Sequence, residues 1–322
     1  MKKLTRAKMP TLEQAAKIDP AYSLEKTGIT QSMMSGWLCC PLRGVLQTNR
    51  WSHADSARTT AFGTMFHEVL DKAYSRKTAL DFHAVEQVVD ELIAARDLWC
   101  GVIDEAEQEY LRGLVGVVAE AYFKHYEKDF SNKNFSRPEV TYAVQFNNTL
   151  LRGKVDGEYI DKSGAVWLME HKTKGRIEED KLMEKLSFDF QNLMYIVMWE
   201  IKNAPKKIKG TLYNVIRTPQ NRWRDKPLNV TYDTIRKAIV ADAAHYFKRW
   251  EVIYTEADKA RFKRELADKL AYVRGFLNGT TNIYRNEFSC ETPYACRFLT
   301  ACASGQMAGY TQKPALFEEL DV

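Results

Sequence analysis

The chain has 322 residues, 45% of them hydrophobic and 12% aromatic, which is enough for a substantial core and excludes a disordered chain as the default. Its formal net charge of +5 is mildly basic, which suits a polyanionic partner without requiring one. The sequence has neither a run of roughly 18 apolar residues nor an apolar segment after the basic N-terminus, so neither a membrane span nor a secretory signal is expected.

The beginning of the chain predicts a lead-in followed by a helix. Residues 1–28 carry charge with little periodicity and are interpreted as a loosely attached lead-in. A first helix, capped by Thr30 or Ser32, is expected to run through Cys40 and on towards Val45.

Two further helical segments are expected before the first strand. Residues 61–74 have the apolar spacing of an amphipathic helix, and His67 lies on or beside its apolar face. A histidine in such a place is more often a hydrogen-bonded core residue than a metal ligand. Residues 81–130 are predicted to be helical almost throughout, with Asp81 and Asp104 as caps, and to form an insert beside a sheet.

A predicted hairpin comes next. Val144–Phe146 and Leu150–Ile160 have the pattern of strands joined by an Asn-Asn-Thr turn. A second turn over residues 161–164 leads to a short apolar strand over residues 165–169. The strand over residues 150–160 and the strand over residues 165–169 should pair in an antiparallel way.

Three charged side chains on this hairpin form a candidate site. Asp156 lies on one strand, Glu170 follows the next, and Lys172 shares the face of Glu170 because side chains alternate along a strand. Carboxylates are hard ligands for Mg²⁺ or Mn²⁺, and a lysine beside them can orient or help deprotonate an attacking water. On these residues alone, an ordinary amphipathic hairpin with charges on its wet side is an equal alternative.

The segment after the hairpin contains a second polar pair. Gln191 and Tyr195 are four residues apart on a predicted helix and therefore share a face, from which an amide and a hydroxyl can reach towards a phosphate. A core tyrosine beside a rim glutamine is the structural alternative. The elements predicted after the hairpin are helices over residues 180–186, 188–201, 233–254 and 256–277 and a strand over residues 209–216.

A proline-bounded loop over residues 217–227 combines positive charge with an aromatic ring. Arg217, Arg222 and Arg224 lie around Trp223. Cations neutralise phosphates and an indole can stack on a base, so the loop is a candidate contact for single-stranded DNA. A merely solvated loop is the alternative.

The cysteines give a further signal. Cys290, Cys296 and Cys302 form a Cys-x5-Cys-x5-Cys pattern among six cysteines in all. We expect a cytoplasmic, reducing location, where clustered thiols bind Zn²⁺ or an iron–sulfur centre rather than form disulfides. Cys100, in the helical region, is interpreted as a buried core thiol.

These motifs resemble those of the PD-(D/E)xK nuclease superfamily, in particular its RecB-type branch. In that branch a Gly-x-x-x-His helix precedes the hairpin and a Gln-x-x-x-Tyr helix follows it, as Gly63 to His67 and Gln191 to Tyr195 do here. Val155 stands where many members have proline before the aspartate.

The resemblance extends from about Ile29 to Ala303 and implies the fold class. That fold is α/β with a restriction-endonuclease-like core, in which helices flank a mixed central sheet. It implies one domain over residues 29–322, with a helical insert at about 81–130 and a C-terminal cysteine segment at about 286–305.

The resemblance also implies roles for the site residues. Asp156 and Glu170 are expected to bind Mg²⁺ or Mn²⁺, with His67 and the carbonyl group of His171 completing the set of ligands. Lys172 is expected to position the nucleophilic water, and the Gln191–Tyr195 pair to approach the scissile phosphate.

The cysteine pattern is similar to that of iron–sulfur exonucleases, the AddB-like enzymes and the CRISPR adaptation nucleases. These proteins take one cluster ligand from a Cys-Pro pair before the core, which implies Cys40 rather than Cys39 here. The resemblance therefore implies a [4Fe–4S] cluster bound by Cys40, Cys290, Cys296 and Cys302, with structural Zn²⁺ on the same thiolates as the alternative. The relatives usually have Cys-x2-Cys-x5-Cys, so the first gap departs from their spacing.

Two functions from different classes follow. The first is a metal-dependent exonuclease acting on DNA ends or single strands in DNA repair, recombination or processing, for which a helicase or recombination protein is a conceivable partner. The second is a DNA-binding or scaffold protein that has the nuclease fold but does not cut. The intact set favours the first, because a relative that does not cut would be expected to lose at least one of its members, which are His67, Asp156, Glu170, Lys172, Gln191 and Tyr195.

Overall fold

The computed structural model describes residues 9–53, 55–95, 103–131, 135–219, 227–291, 295–317 and 320. The chain forms two compact units, each assembled from segments that are separated in sequence. The carboxylate unit comprises residues 57–142 and 154–260, and the cysteine unit comprises residues 1–56, 143–153 and 261–322. The lead-in over residues 1–28 and the single domain over residues 29–322 stay predictions.

The strands form a large mixed sheet and a small one. They are β1 (Ile29–Thr30), β2 (Trp51–His53), β3 (Phe135–Phe146), β4 (Thr149–Ile160), β5 (Val166–Lys174), β6 (Gly210–Arg217), β7 (Phe247–Val252) and β8 (Tyr310–Gln312). The large sheet has the order β1-β4-β5-β6-β7, with β3 also paired to β4, and β2 pairs with β8. Pairs β1–β4 and β5–β6 are parallel, whereas β4–β5 and β6–β7 are antiparallel.

The helices confirm the predicted α/β fold class. They are α1 (Leu12–Ala15), α2 (Gln31–Cys39), α3 (Pro41–Thr48), α4 (Asp55–Arg76), α5 (Phe82–Ala95), α6 (Glu105–His125), α7 (Glu127–Ser131), α8 (Glu179–Leu186), α9 (Phe190–Lys202), α10 (Leu228–Ala241), α11 (Ala243–Tyr246), α12 (Glu256–Leu277) and α13 (Leu299–Ser304). Helices α5, α6 and α7 lie in the segment over residues 81–130 that was predicted as a helical insert, and its role as an insert stays a prediction. The two predicted caps are present, because Asp81 accepts from the amide of Ala84 and Asp104 accepts from that of Glu107, each at 2.8 Å.

The predicted hairpin is present, and its last strand is longer than expected. Asn147 and Asn148 have φ values of 46° and 54°, the left-handed conformation that a two-residue hairpin turn requires and that asparagine tolerates. Strand β5 continues to Lys174 because it stays paired with β6 from Trp167 to Lys174. Glu170 therefore lies within the strand rather than after it.

The helix predicted over residues 233–254 is wrong in its last third. Helix α11 ends at Tyr246, and strand β7 follows at once. Its pairing with β6 runs from Ile216 opposite Phe247 to Thr211 opposite Val252. That pairing involves residues far apart in sequence, so it overrides the local helical pattern.

The helix predicted to run through Cys40 is in fact two helices. Cys40 has φ −158° and ψ 117°, an extended conformation, and Pro41 begins α3. A proline disfavours the helical conformation in the residue before it, which explains the break. The predicted cap on α2 is present, since the hydroxyl of Thr30 accepts from the amide of Met33 at 3.3 Å.

Each unit has its own apolar core. In the carboxylate unit, α4, α5 and α6 pack with apolar residues of β5, β6 and β7. In the cysteine unit, Cys40 packs among Leu12, Leu46, Phe298 and Tyr310. Among the described residues, no helix is both long enough and apolar enough to span a bilayer.

Candidate active site

Asp156 is held by two donors from different elements of the carboxylate unit. Its Oδ1 lies 3.4 Å from Nδ1 of His67 on α4, and its Oδ2 accepts from the backbone amide of His171 on β5 at 2.6 Å. Burial raises the pKa of Asp156, but His67, His171 and Lys172 together outweigh it and hold the pKa below its ordinary value. Asp156 is therefore a charged carboxylate in a partly buried place.

Glu170 and Lys172 form an ion pair two residues apart on β5. The side chain of Glu170 is 4% exposed and that of Lys172 33%, so the pair opens to solvent at the lysine end. Burial raises the pKa of Glu170, and the charge of Asp156 adds to this, against the opposing effect of Lys172. Burial lowers the pKa of Lys172, but attraction to Glu170 and Asp156 dominates and raises it overall, so the lysine is protonated.

The predicted pair on α9 completes this group. Lys172 donates from Nζ to Oε1 of Gln191 at 3.0 Å, and Gln191 donates from Nε2 to the hydroxyl of Tyr195 at 3.3 Å. Asp189 caps α9 by accepting a hydrogen bond from the amide of Asn192 at 2.9 Å. This contact fixes the start of α9 close to Gln191. The result is a continuous chain of polar contacts from Glu170 to Tyr195.

Gly63 explains how α4 brings His67 to the sheet. A Cβ atom at this position would lie 2.8 Å from Oγ1 of Thr173 on β5, closer than real Cβ atoms come to another heavy atom. A glycine therefore lets α4 approach β5, and His67 follows one helical turn later on the same side. Attraction to Asp156 raises the pKa of His67, although burial acts in the opposite direction as the largest single influence.

The structure adds residues that sequence reasoning missed. Tyr213 on β6 is buried and lies in register with Glu170, and Asn214 lies in register with His171. The signal for Asn214 was its place in the apolar strand sequence GTLYNVIR, where an amide needs a polar partner. The partner could not be named without the strand register.

The four cysteines predicted as ligands line one cavity of the cysteine unit. The cavity has a volume of about 90 Å³, and Cys39 does not line it. Sγ of Cys40 accepts from the amide of Asn286 at 3.4 Å. Burial raises the pKa of the Cys290 thiol, and the nearness of Cys296 and Cys40 raises it further. The thiols therefore lie close enough to interact electrostatically.

Of the predicted basic loop over residues 217–227, the structure describes residues 217–219 and 227. Arg217 ends β6 and donates from Nε to the carbonyl of His245 at 3.0 Å. Arg222, Trp223 and Arg224 lie outside the described residues, as does Cys100.

The donor set of the carboxylate unit fits a hard divalent cation. Two carboxylates, an imidazole and a backbone carbonyl are oxygen-rich ligands, and the buried Glu170 carboxylate has a raised pKa that a nearby cation would lower. Across the described ranges, no three His, Cys, Asp or Glu side chains are already gathered around a common point that could hold a metal ion. The carboxylate of Asp156 is engaged by His67 and the His171 amide, and that of Glu170 by Lys172.

Comparison with known proteins identifies the family. The model of the PD-(D/E)XK nuclease superfamily matches residues 29–303. No curated protein matches the chain. A solved structure titled "Crystal structure of SSO0001" is 12% identical and aligns over 89% of this chain and 91% of that chain, with a TM-score of 0.30. Because the family model covers most of its length, the chain belongs to the PD-(D/E)XK nuclease superfamily.

Proposed function

We propose that this protein is a metal-dependent DNA nuclease, and that it acts as an exonuclease on DNA ends or single strands in repair, recombination or processing. Membership of the superfamily suggests a nuclease. The observation that carries the proposal is the joining of Asp156, Glu170, Lys172 and Gln191 in one partly buried group that opens to solvent at the lysine.

Asp156 and Glu170 are the proposed ligands of Mg²⁺ or Mn²⁺, together with His67 and the carbonyl group of His171. Such a cation, when bound, lowers the pKa of a water molecule and polarises the phosphate. The contact between the His171 amide and Asp156 fixes the direction of that carboxylate before any ligand arrives. That fixed direction is what a site needs to avoid reorganising during the reaction.

Lys172 and the α9 pair are proposed to act on the substrate. The protonated Lys172 can hold the attacking water by a hydrogen bond and stabilise the charge that develops on the phosphate oxygens. Gln191 fixes the lysine from the other side, and Tyr195 fixes Gln191. Both groups can also donate to the phosphate once DNA enters.

The cysteine unit is proposed to hold a [4Fe–4S] cluster through Cys40, Cys290, Cys296 and Cys302. The shared cavity of these four thiols supports the proposal, and so does the absence of Cys39 from the described cavity lining. Thiolates are the usual ligands of such clusters, and the same four could hold Zn²⁺ instead. The cluster would be structural, because it joins α3 to the segment before and within α13.

End-labelled single- and double-stranded DNA, incubated with the protein and Mg²⁺ or Mn²⁺, tests the nuclease proposal. A ladder of short products that disappears with EDTA is expected. Internal cuts in a closed circular single strand would replace the exonuclease with an endonuclease. Binding without any cleavage, in either metal, would favour the alternative of a DNA-binding scaffold.

A further inference from the structure

A row of polar residues crosses the middle of the large sheet. His171 on β5, Asn214 on β6 and Arg249 on β7 are register partners, so their side chains lie side by side on one face. Four of the six positions two residues away on the same face are apolar and belong to the core, namely Met169, Leu212, Ile216 and Phe247, whereas the other two are Thr173 and Glu251. The polar row therefore borders the apolar core between the sheet and the helices that pack on it.

Hydrogen bonds connect this row to helix α6. Asn214 donates from Nδ2 to Nδ1 of His171 at 2.9 Å and to the hydroxyl of Tyr122 at 2.7 Å. Arg249 donates from Nη2 to the hydroxyl of Tyr122 at 3.2 Å. Tyr122 and Asn214 are both fully buried. The catalytic strand is thus tied to a helix of the insert through one amide group.

The far end of the row is an ion pair with helix α7. Arg249 donates from Nη1 and Nη2 to the two carboxylate oxygens of Asp129, at 3.0 and 2.8 Å, in a bidentate arrangement. Its guanidinium group also lies 3.8 Å from the ring centre of Tyr126. The side chains of Arg249 and Asp129 are 19% and 13% exposed.

The directions of these hydrogen bonds follow from the donors available. Tyr74 on α4 gives its one hydroxyl hydrogen to Asp129 at 3.0 Å, so the contact of 2.9 Å between Tyr74 and Tyr122 must be donated by Tyr122. Tyr122 then accepts from Asn214 and Arg249 and donates to Tyr74. The Tyr122 hydroxyl thus uses its one hydrogen and both lone pairs, and the series of hydrogen bonds ends at the Asp129 carboxylate.

Such a network is an expensive way to fill a core. Buried polar groups destabilise the fold unless every one has a partner, and apolar side chains of similar size often serve stability as well or better. Among the described residues, Nε2 of His171, Oδ1 of Asn214 and Nε of Arg249 still lack a hydrogen-bond partner. Stability alone therefore gives a poor account of these six residues.

The network touches the active site at His171. The backbone amide of His171 donates to Asp156, and its sequence neighbours are Glu170 and Lys172. The ring of Tyr74 stacks on the His171 ring with centres 5.7 Å apart and an angle of 14°. Because the imidazole is held by a hydrogen bond and a stacked ring, the backbone of His171 is held as well.

We propose that His171, Asn214, Tyr122, Tyr74, Asp129 and Arg249 form a positioning network. Through this polar network, helices α4, α6 and α7 fix the backbone of His171 and, with it, the direction of the Asp156 carboxylate. The inference rests on the proposed nuclease function. It gives the helical insert a task in the reaction beyond covering the sheet.

The first test replaces Asn214 by leucine, which has the same number of side-chain heavy atoms with the same branching and cannot hydrogen-bond. Outer-shell partners of metal ligands typically contribute roughly 10- to 100-fold to metal affinity or activity. We expect a loss of that size in Mn²⁺ affinity, measured by calorimetry without DNA, or in the single-turnover cleavage rate at saturating DNA. The dissociation constant for DNA should stay within about 2-fold of the parent. Thr211→Val is the matched control, since Thr211 is buried on the same strand and its hydroxyl has no partner among the described residues.

The second test separates positioning from stability. In the double variant Asp129→Leu with Arg249→Met, both partly buried charges are removed together, and replacing such an ion pair by apolar side chains often leaves stability unchanged. We expect this double variant to have a melting temperature near that of the parent and a cleavage rate below that of the parent. Either of two results overturns the inference. One is a cleavage rate of the double variant equal to that of the parent, and the other is unchanged Mn²⁺ affinity and cleavage in a folded Asn214→Leu variant. A parent protein that binds DNA but neither Mn²⁺ nor Mg²⁺ and never cleaves overturns the proposed function first, and the inference with it.

Discussion

Lys172 lies between a carboxylate on its own strand and an amide on α9, so its amino group has little freedom to move. Replacing it by alanine removes the proposed contact to the attacking water and leaves Glu170 buried without its ion pair. We expect cleavage to fall by roughly 10²- to 10³-fold or more, because a charge-stabilising donor is lost. Asp156→Ala should have at least as large an effect.

The measurement is a cleavage time course at saturating DNA, with circular dichroism to show that each variant is folded. Lys181→Ala is a suitable control, since that lysine forms an exposed ion pair with Glu178 on the protein surface. Cleavage at the parent rate by either Asp156→Ala or Lys172→Ala would contradict the roles assigned to these residues.

At the same scale, the sequence could name the acidic and basic side chains but not their partners. Glu170 and Lys172 are two residues apart, a spacing that strand alternation converts directly into a shared face, and Asp156 was expected on the adjacent strand. The contact from the His171 amide and the polar network behind it depend on how β5, β6 and β7 align. Register is a long-range property, so no window of the sequence contains it.

The approach of α4 to β5 depends on one missing side chain. Gly63→Ala would place a methyl group 2.8 Å from Oγ1 of Thr173 and push the helix, and so His67, away from Asp156. We expect a cleavage rate about 10-fold lower, because a misplacement of about 1 Å is costly for a preorganised site. Adding Thr173→Ala, which removes the obstructing oxygen, should restore most of the activity. Gly175→Ala is the control, since nothing lies within 4 Å of its added Cβ.

Elements with strong local signals were predicted well. The hairpin turns and the caps at Asp81 and Asp104 are confirmed, because each depends on residues within a few positions. Strand β7 was missed since its conformation comes from pairing with β6. The break at Cys40 was missed although Pro41 announces it, because the apolar periodicity continues through the break.

At the scale of the whole molecule, the proposed cluster in the cysteine unit predicts the colour and the metal content of the protein. Protein purified without oxygen should be brown, with broad absorbance near ~400 nm that fades on reduction, and should contain about four irons per chain. Cys296→Ser should be colourless and poorly soluble, because loss of a bound centre is coupled to loss of folding. Cys39→Ser should keep the colour, since Cys39 lies outside the cavity lining. One zinc per chain without iron would replace the cluster with the alternative.

The proposed DNA binding is also a property of the whole molecule. Lys and Arg outnumber Asp and Glu in the cysteine unit, whereas the two kinds nearly balance in the carboxylate unit. If six or more phosphates are contacted, affinity should fall by roughly 10³-fold or more between 50 and 200 mM salt. Fluorescence anisotropy with a labelled single strand measures this.

The loop over residues 217–227 is expected to add base stacking to these phosphate contacts. Trp223→Ala should weaken single-strand binding by roughly 1–3 kcal/mol, the usual contribution of one stacked base, whereas Trp223→Phe should keep most of it. Arg222→Ala and Arg224→Ala should reduce the salt dependence. Equal affinity of Trp223→Ala and the parent for single strands would show that the indole is not a contact.

The order in which the two units are written along the chain sets the order in which they can form during synthesis. The ribosome has delivered all of the carboxylate unit once residue 260 has emerged, but the cysteine unit still lacks residues 261–322. Domains generally fold as their residues emerge, at roughly 5–20 residues per second. The carboxylate unit can therefore be assembled a few seconds before Cys290, Cys296 and Cys302 emerge. Loading of the proposed inorganic centre would then take place on a chain whose carboxylate unit is already built.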